Sequence, residues 1–239
     1  MSKKYDLSVI VPFYNEEKFL VESVERLLSA NLFKEIILVN DCSKDRSPQI
    51  ARKLVDKYQN ISLHNLKENS GKGNAIKVGL NFVKSKYTII HDADLEYYPS
   101  DIKQMIIKTD DDENCLVIGS RTLRGGSRNN RYRVTYFANK YFTYFFSLIN
   151  FHYFTDIASC YWLIKTETLR SLDIKEKGFA IEVEVISKFL RTGYKVYEVP
   201  INYSGRLYSE GKKIRLSDGI NIFFKILQYS RLFNPFKRI

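Results

Sequence analysis

Cysteine is scarce and scattered in this chain of 239 residues. There are three, Cys42, Cys115 and Cys160, and no C-x-x-C pair. Such a set implies neither a disulfide framework nor a zinc site, so a reducing, cytosolic setting is expected. Long apolar runs are missing too. No stretch reaches the roughly 18 to 20 residues that crossing a bilayer requires. The nearest approach, Tyr141–Thr155, is uncharged and aromatic but short, and it contains Asn150 and His152. Met1 to Asp6 leads straight into a strand candidate without a secretory-leader pattern. Internal repeats, low-complexity tracts and nucleic-acid-binding motifs are also lacking, which removes solenoids and argues against a nucleic-acid partner.

What the chain has is a globular composition, 44% hydrophobic, and a formal net charge of +11. The length suits one α/β domain with an elaborated C-terminal part. The charge suggests nucleic acid, anionic lipid or phosphorylated ligands without choosing among them.

The first half alternates strand and helix. Strands are expected at Leu7–Val11, Glu35–Val39, Ile61–Asn65, Tyr87–His91 and Leu116–Gly119. Helices are expected from Glu16 to Ala30 behind an Asn15 cap, from Ser47-Pro48, from Asn74 to about Lys84, and from Pro99. That order predicts a mostly parallel, doubly wound α/β sheet flanked by helices. Later, short elements are expected around Tyr161–Lys165 and Ala180–Arg191, a β-like segment at Val196–Tyr203, and a last helix near Ser217–Leu232.

Asp92-Ala93-Asp94 follows the strand ending at His91. In an open α/β sheet, ligands bind at that edge. Carboxylates one residue apart on extended chain point to one side, and Glu96 continues the parity. Three hard oxygen ligands there suit Mg²⁺ or Mn²⁺. Three further strand ends carry polar turns: Val11 to Glu16, Val39 to Ser47, and Glu68 to Asn74. Asp41 can accept hydrogen bonds from a base or ribose, Gly71 and Gly73 allow close backbone approach, and Lys72 can face phosphate. Taken singly, each is an ordinary turn. Four at one sheet edge form a ligand crevice.

Together these pieces resemble a family 2 glycosyltransferase of the GT-A fold, in the branch of dolichol-phosphate mannose synthase and polyprenyl-phosphate sugar synthases. The matching pieces are V-I-V-P-F-Y-N-E at Val9–Glu16, V-N-D-C-S-K-D-R-S at Val39–Ser47, N-S-G-K-G-N-A at Asn69–Ala75 and D-A-D-L-E-Y-Y-P at Asp92–Pro99. They continue with G-S-R at Gly119–Arg121, T-D-I-A-S at Thr155–Ser159, G-F-A-I-E-V-E at Gly178–Glu184, E-V-P-I-N-Y at Glu198–Tyr203, Arg206 and E-G-K-K-I at Glu210–Ile214. The resemblance implies a GT-A domain over residues 1–239, with a nucleotide-sugar half (1–120) and an acceptor-side half (121–239). It implies that Pro12, Tyr14, Glu16, Asp41, Ser43, Lys72, Asp92, Asp94 and Arg206 bind the nucleotide sugar, and that Asp92, Asp94 and Glu96 hold Mg²⁺ or Mn²⁺. Arg121, Arg131 and Arg133 would bind an acceptor phosphate, with Asp94, Asp156, Glu182 and Arg206 as catalytic candidates. The expected activity is inverting transfer from a GDP- or UDP-sugar to polyprenyl or dolichyl phosphate. Its setting would be peripheral, on the cytoplasmic face of a membrane, with a membrane-anchoring partner protein in reach. The chain departs from the family pattern at Asn40, where Asp is usual, at Cys42 and Cys160, where Gly is usual, and at Trp162, where a basic residue is common.

Five arginines, at 121, 124, 128, 131 and 133, lie within thirteen residues containing no acid. They read as a phosphate clamp, because guanidinium forks match phosphate oxygens, or as a solvated basic loop. Eleven aromatics follow between Tyr132 and Phe154. Tyr136, Phe137, Phe142, Phe145, Phe146 and Ile149 nearly encircle a helix, which reads either as membrane-interfacial or as a core element. The last helix, with Phe223, Phe224 and basic flanks, is a second candidate membrane contact. Two other functions remain in view. One is transfer to a hydroxyl, with Asp156 or Glu182 as base; the other is a non-catalytic basic binding protein.

Overall fold

The computed structural model describes residues 5–129, 133–206 and 216–233. In chain order the elements are β1 (Leu7–Phe13), α1 (Leu20–Ala30), β2 (Glu35–Asn40), α2 (Ser47–Lys57), β3 (Ile61–Asn65), α3 (Lys72–Leu80), β4 (Tyr87–Ile90), α4 (Ile102–Asp111) and β5 (Leu116–Ser120). They continue with β6 (Arg128–Asn129), α5 (Arg133–Asn150), β7 (Trp162–Lys165), α6 (Thr166–Ser171), α7 (Ile181–Leu190), β8 (Val196–Pro200), β9 (Tyr203–Ser204) and α8 (Leu216–Tyr229).

Seven strands form one sheet in the order β3-β2-β1-β4-β7-β5-β8. All neighbours are parallel except β7, which runs antiparallel to both β4 and β5. The mostly parallel α/β reading therefore holds. Every residue of β1 is buried, as a continuous apolar run covered on both faces demands. Alternate residues serve opposite layers. Val9, Val11 and Phe13 pack toward α1, α2 and α4, while Ile10 packs toward α3, α5 and α7. Because β2 and β4 flank β1 on opposite sides, the winding direction reverses there, and a crevice opens at the carboxyl ends of those strands.

Helix starts depart from the sequence expectation for a local reason. Asn15 does not cap a helix at Glu16. It sits at φ +50°, and α1 begins at Leu20. Its Oδ1 accepts the Lys44 amide instead. Ser47 likewise turns its hydroxyl to the Glu16 amide. Helix α3 starts two residues early, at Lys72, and ends at Leu80. The segment expected as one strand from Val196 splits into β8 and β9, and β9 pairs with β6 in a separate two-stranded sheet.

Helix α5 divides the two readings of its aromatics between its faces. Phe146 and Ile149 are buried, and Phe142 and Phe145 pack against the same core, with Phe145 stacked on Phe223 of α8. Those positions belong to the interior, not to lipid. The opposite face carries Phe137, Tyr141, Tyr144 and Leu148, followed by Phe151 just past the helix end. All five are between 59% and 73% exposed. Their spacing of four, three, four and three residues makes one stripe. Among the described residues no helix is long and apolar enough to cross a membrane.

Candidate active site

The turns after β1 and β2 are laced together. The Asn15 amide donates to Ser43 Oγ (2.9 Å), the Glu16 amide to Ser47 Oγ (2.8 Å) and the Glu17 amide to Asp45 Oδ2 (3.1 Å). Arg46 returns a backbone bond to Glu17 Oε2 (3.1 Å). Pro12 is buried inside β1, and Tyr14 is half-buried beside these turns. Asn40 accepts the Ser43 amide and donates to Asn65. Cys42 lies at φ +59°, the left-handed region that favours glycine.

Asp41 braces the next turn. Its two oxygens accept the amides of Ser70 (2.8 Å) and Gly71 (2.9 Å). Glycine is required on this turn because a Cβ at Gly71 or Gly73 would collide with the backbone carbonyls of Lys177 or Glu176, at 2.5 and 2.6 Å. The turn is thus pressed against the loop that leads into α7. Lys72 crosses that junction. Its ammonium lies 2.9 Å from the Asp92 carboxylate and donates to Glu182 Oε1 at 2.9 Å. Burial opposes the Lys72 charge, but Asp92 and Glu182 outweigh it and hold its pKa well above the ordinary value. Burial likewise opposes ionisation of Asp92, and Lys72 overrides it, so Asp92 titrates low. Glu182 titrates high through burial, and among the described residues its buried Oε2 has no hydrogen-bond partner.

The expected row of three metal-binding carboxylates is only partly assembled. Leu95, at φ +63°, breaks the extended chain between Asp94 and Glu96, so the strand parity does not carry through. Glu96 turns inward. Its oxygens accept Tyr203 Oη (2.6 Å) and the Arg206 amide (2.7 Å). In this structure the expected metal ligand Glu96 anchors the segment Tyr203–Arg206. Arg206 donates to Asp94 Oδ2 (3.2 Å) and to both oxygens of Glu16 (3.1 and 3.3 Å). Glu16 therefore faces a guanidinium in this structure. Burial, with Glu96 and Asp92 close by, pushes Asp94 up to about 8.

Arg121, expected at an acceptor phosphate, faces Asp156 in this structure. It is buried, and its Nε and Nη2 donate to the two oxygens of Asp156 at 2.7 and 2.8 Å. Both oxygens of the expected base Asp156 are held by that fork in this structure. Glu198 holds the same loop by accepting the amides of Thr155 and Asp156. Arg131 lies outside the described residues, and Arg133 opens α5. Glu210 to Ile214 also lie outside.

Several organising residues escaped the sequence reading. His91 is buried between Tyr161 Oη (2.7 Å) and Ser23 Oγ (3.2 Å), and burial drops its pKa to about 4. Tyr97 Oη accepts the Cys160 amide (3.2 Å) and stacks on Tyr161. Glu198 and Tyr203 stood inside a quoted motif, but nothing in their spacing named their partners. Trp162 is buried in the core.

Among the described residues no group of three His, Cys, Asp or Glu side chains is arranged to hold a metal ion. The donor chemistry nevertheless fits a hard divalent cation. Asp92 and Asp94 supply carboxylate oxygens at the mouth of the crevice, and neither is fully enclosed, with 24% and 16% of their side chains exposed. Such ions take few protein carboxylates and complete their shell with phosphate and water.

A mostly parallel sheet with acidic turns at its switch point is the architecture of GT-A glycosyltransferases. The sequence model described as Glycosyl transferase family 2 matches residues 8–172, and the chain belongs to that family of glycosyltransferase enzymes. It is 30% identical over 212 residues to a dolichol-phosphate mannosyltransferase of Pyrococcus furiosus, covering 86% of this chain and 58% of that protein. It is 26% identical over 234 residues to a dolichyl-phosphate beta-glucosyltransferase of Trichomonas vaginalis, covering 90% of this chain and 70% of the other. Among solved structures, glucosyl-3-phosphoglycerate synthase from Mycobacterium tuberculosis, in complex with Mn²⁺, UDP and glucosyl-3-phosphoglycerate, superposes with a TM-score of 0.70. Identity there is 17%, over 94% of this chain and 79% of that one, so the likeness is one of fold.

Proposed function

We propose that this chain is an inverting, metal-dependent glycosyltransferase that moves a sugar from a nucleotide-diphosphate sugar to a polyprenyl or dolichyl phosphate at a membrane surface. The observation that carries the acceptor is the outward aromatic stripe of α5. Such rings sit at the headgroup boundary of a bilayer, and nearby cations favour anionic lipid. Relatives named for dolichol and dolichyl phosphate support the same acceptor. The setting we infer is the cytoplasmic face. A membrane-anchoring partner protein would use the same stripe, and liposome binding by the lone chain distinguishes the two.

In this reading Asp92 and Asp94 hold Mg²⁺ or Mn²⁺, which when bound neutralises charge growing on the leaving diphosphate. An acceptor phosphate oxygen bonds to the anomeric carbon as the bond to the diphosphate oxygen breaks, with inversion. The acceptor is already ionised, so no proton need move. That suits a site whose Asp156 is locked in a salt bridge. Lys72 keeps Asp92 and Glu182 at fixed positions beneath the crevice. One observation favours a second reading: the unpartnered Oε2 of Glu182 could take a proton from a hydroxyl acceptor.

The test is turnover of UDP- and GDP-hexoses with Mn²⁺, offering polyprenyl phosphate in vesicles against sugar alcohols. Lipid-linked sugar formed in preference to glycoside is the expected result. Turnover confined to hydroxyl acceptors would transfer the function to the second reading and make Glu182 the base.

A further inference from the structure

Arg206 occupies one oxygen of the metal-site carboxylate Asp94, and an unusual number of other groups hold it there. Its guanidinium donates to Asp94 Oδ2 and to both oxygens of Glu16, and lies 5.1 Å from the centre of the Phe19 ring. Its backbone amide is fixed by Glu96, whose second oxygen is held by Tyr203 Oη. Two turns, after β1 and after β4, thus grip one side chain that arrives from beyond β9. The side chain is 10% exposed, so this is a built contact and not a surface ion pair.

We propose that Arg206 is the resting counter-ion of the metal site, that Glu16 and Glu96 are positioning residues that keep it there, and that a divalent cation reaches Asp94 only as the guanidinium leaves Oδ2. This inference rests on the metal-dependent reading above and adds an exchange that precedes the chemistry. A guanidinium and a divalent ion on one carboxylate oxygen repel each other at close range. A cavity of about 200 Å³, bounded by Phe19, Arg26, Asp94, Leu95, Tyr98 and Arg206, gives the guanidinium room to withdraw without leaving the protein. Metal entry would then release a cation at the moment an anionic ligand needs one. In the absence of metal, the same contact keeps the acidic turn from being left uncompensated.

The measurement is Mn²⁺ affinity without nucleotide, read from the electron paramagnetic resonance signal of free Mn²⁺. Arg206→Gln should tighten binding by about tenfold, the usual cost of surrendering one charge-assisted contact. Arg26→Gln is the control: it removes the same charge from the same cavity but touches neither Asp94 nor Glu16, and it should change affinity by less than about twofold. Arg206→Lys keeps the charge but cannot bridge both carboxylates. It should fall between parent and Arg206→Gln, and it carries the test if the glutamine variant fails to fold. Equal tightening by Arg26→Gln, or unchanged or weaker binding in both Arg206 variants, overturns the proposal while leaving the metal-dependent reading intact. If the parent and all variants ignore Mn²⁺ even with UDP or GDP present, both fall.

Discussion

The carboxyl edge of the sheet and the α5–α8 layer treat their characteristic side chains in opposite ways. At the edge, acids and cations that look poised for ligands are bonded to one another: Asp41 to the Ser70–Gly71 amides, Lys72 to Asp92 and Glu182, Arg206 to Glu16 and Asp94, and Arg121 to Asp156. In the helical layer, aromatic rings that look like core material face outward along a single stripe. A polar motif residue therefore reports the sheet edge before it reports any one partner. Among the described residues, Glu182 Oε2 and the α5 stripe are exceptions that the interior does not match.

The strongest way to break that comparison is Arg121→Ala. If Arg121 is internal, its loss leaves Asp156 buried and uncompensated, which typically costs about 3–5 kcal/mol. Urea denaturation should show the loss, and Arg121→Met with Asp156→Leu should recover much of it. A variant as stable as the parent, impaired solely toward lipid phosphate, would return Arg121 to the acceptor site.

His91 tests the same edge through pH. Burial keeps its imidazole neutral down to about pH 4, against 6.5 for the free group. As pH falls, the unfolded chain binds the proton first. The stabilising effect is thus complete above pH 6.5 and is lost as pH drops toward 4. The gap corresponds to about 3 kcal/mol. Urea midpoints of parent and His91→Gln, compared at pH 7 and 4.5, should converge in acid; parallel curves would mean that His91 titrates alike in the folded and unfolded chain.

Asp94→Asn should leave the fold intact and lower turnover by at least about 100-fold, the scale expected when a main electrostatic support of the transition state is removed. Calorimetry with Mn²⁺ and UDP should show no metal-dependent binding. Parent-like binding and rate would move the metal elsewhere.

The two faces of α5 give a graded contrast. Phe137→Ser with Tyr144→Ser and Phe151→Ser should weaken partition onto anionic vesicles by at least about tenfold, since each ring would withdraw apolar area from the interface. Stability should change little. Phe146→Ser should instead cost about 3–5 kcal/mol by opening the core. Salt should release the parent as the Debye length falls from about 10 Å at 0.1 M to about 3 Å at 1 M. A parent that ignores vesicles of every charge would leave the stripe to a partner protein.

Much of the architecture was legible because strand ends announce themselves. Apolar runs such as Leu7–Val11 and Glu35–Val39, followed by polar turns, pointed to a crevice at the strand ends that include Asp92–Asp94. The partners were not legible. Glu96 shares the parity of Asp92 and Asp94 on paper, yet the left-handed Leu95 turns it toward Tyr203, more than a hundred positions away. The same holds for Arg121. An arginine in a basic run reads as a clamp until the fold brings Asp156 to it. The inward and outward faces of α5 were not separable in the sequence because apolar residues encircle the helix, and only the position of α8 decides which ones, Phe142 and Phe145, turn inward.

The smallest expected effect lies at Cys42, where the chain keeps a side chain in a conformation suited to glycine. At φ +59° a Cβ crowds the following carbonyl, a strain of about 1–2 kcal/mol for an ordinary residue. Its thiol recovers little, through a 3.6 Å contact to the Lys67 carbonyl. Glycine would relieve the strain but adds backbone entropy to the unfolded chain, worth about 0.5–1 kcal/mol. Cys42→Gly should therefore stabilise the protein by about 0.5–1 kcal/mol in urea melts, and Cys42→Val should destabilise it, because a β-branched residue tolerates this region worst. The turn it shapes also carries Asp41 and Ser43, so the glycine variant should bind UDP or GDP as the parent does. A fall in both stability and nucleotide affinity would mean that the thiol supports the turn, and that the carboxyl edge depends on this departure from the family pattern.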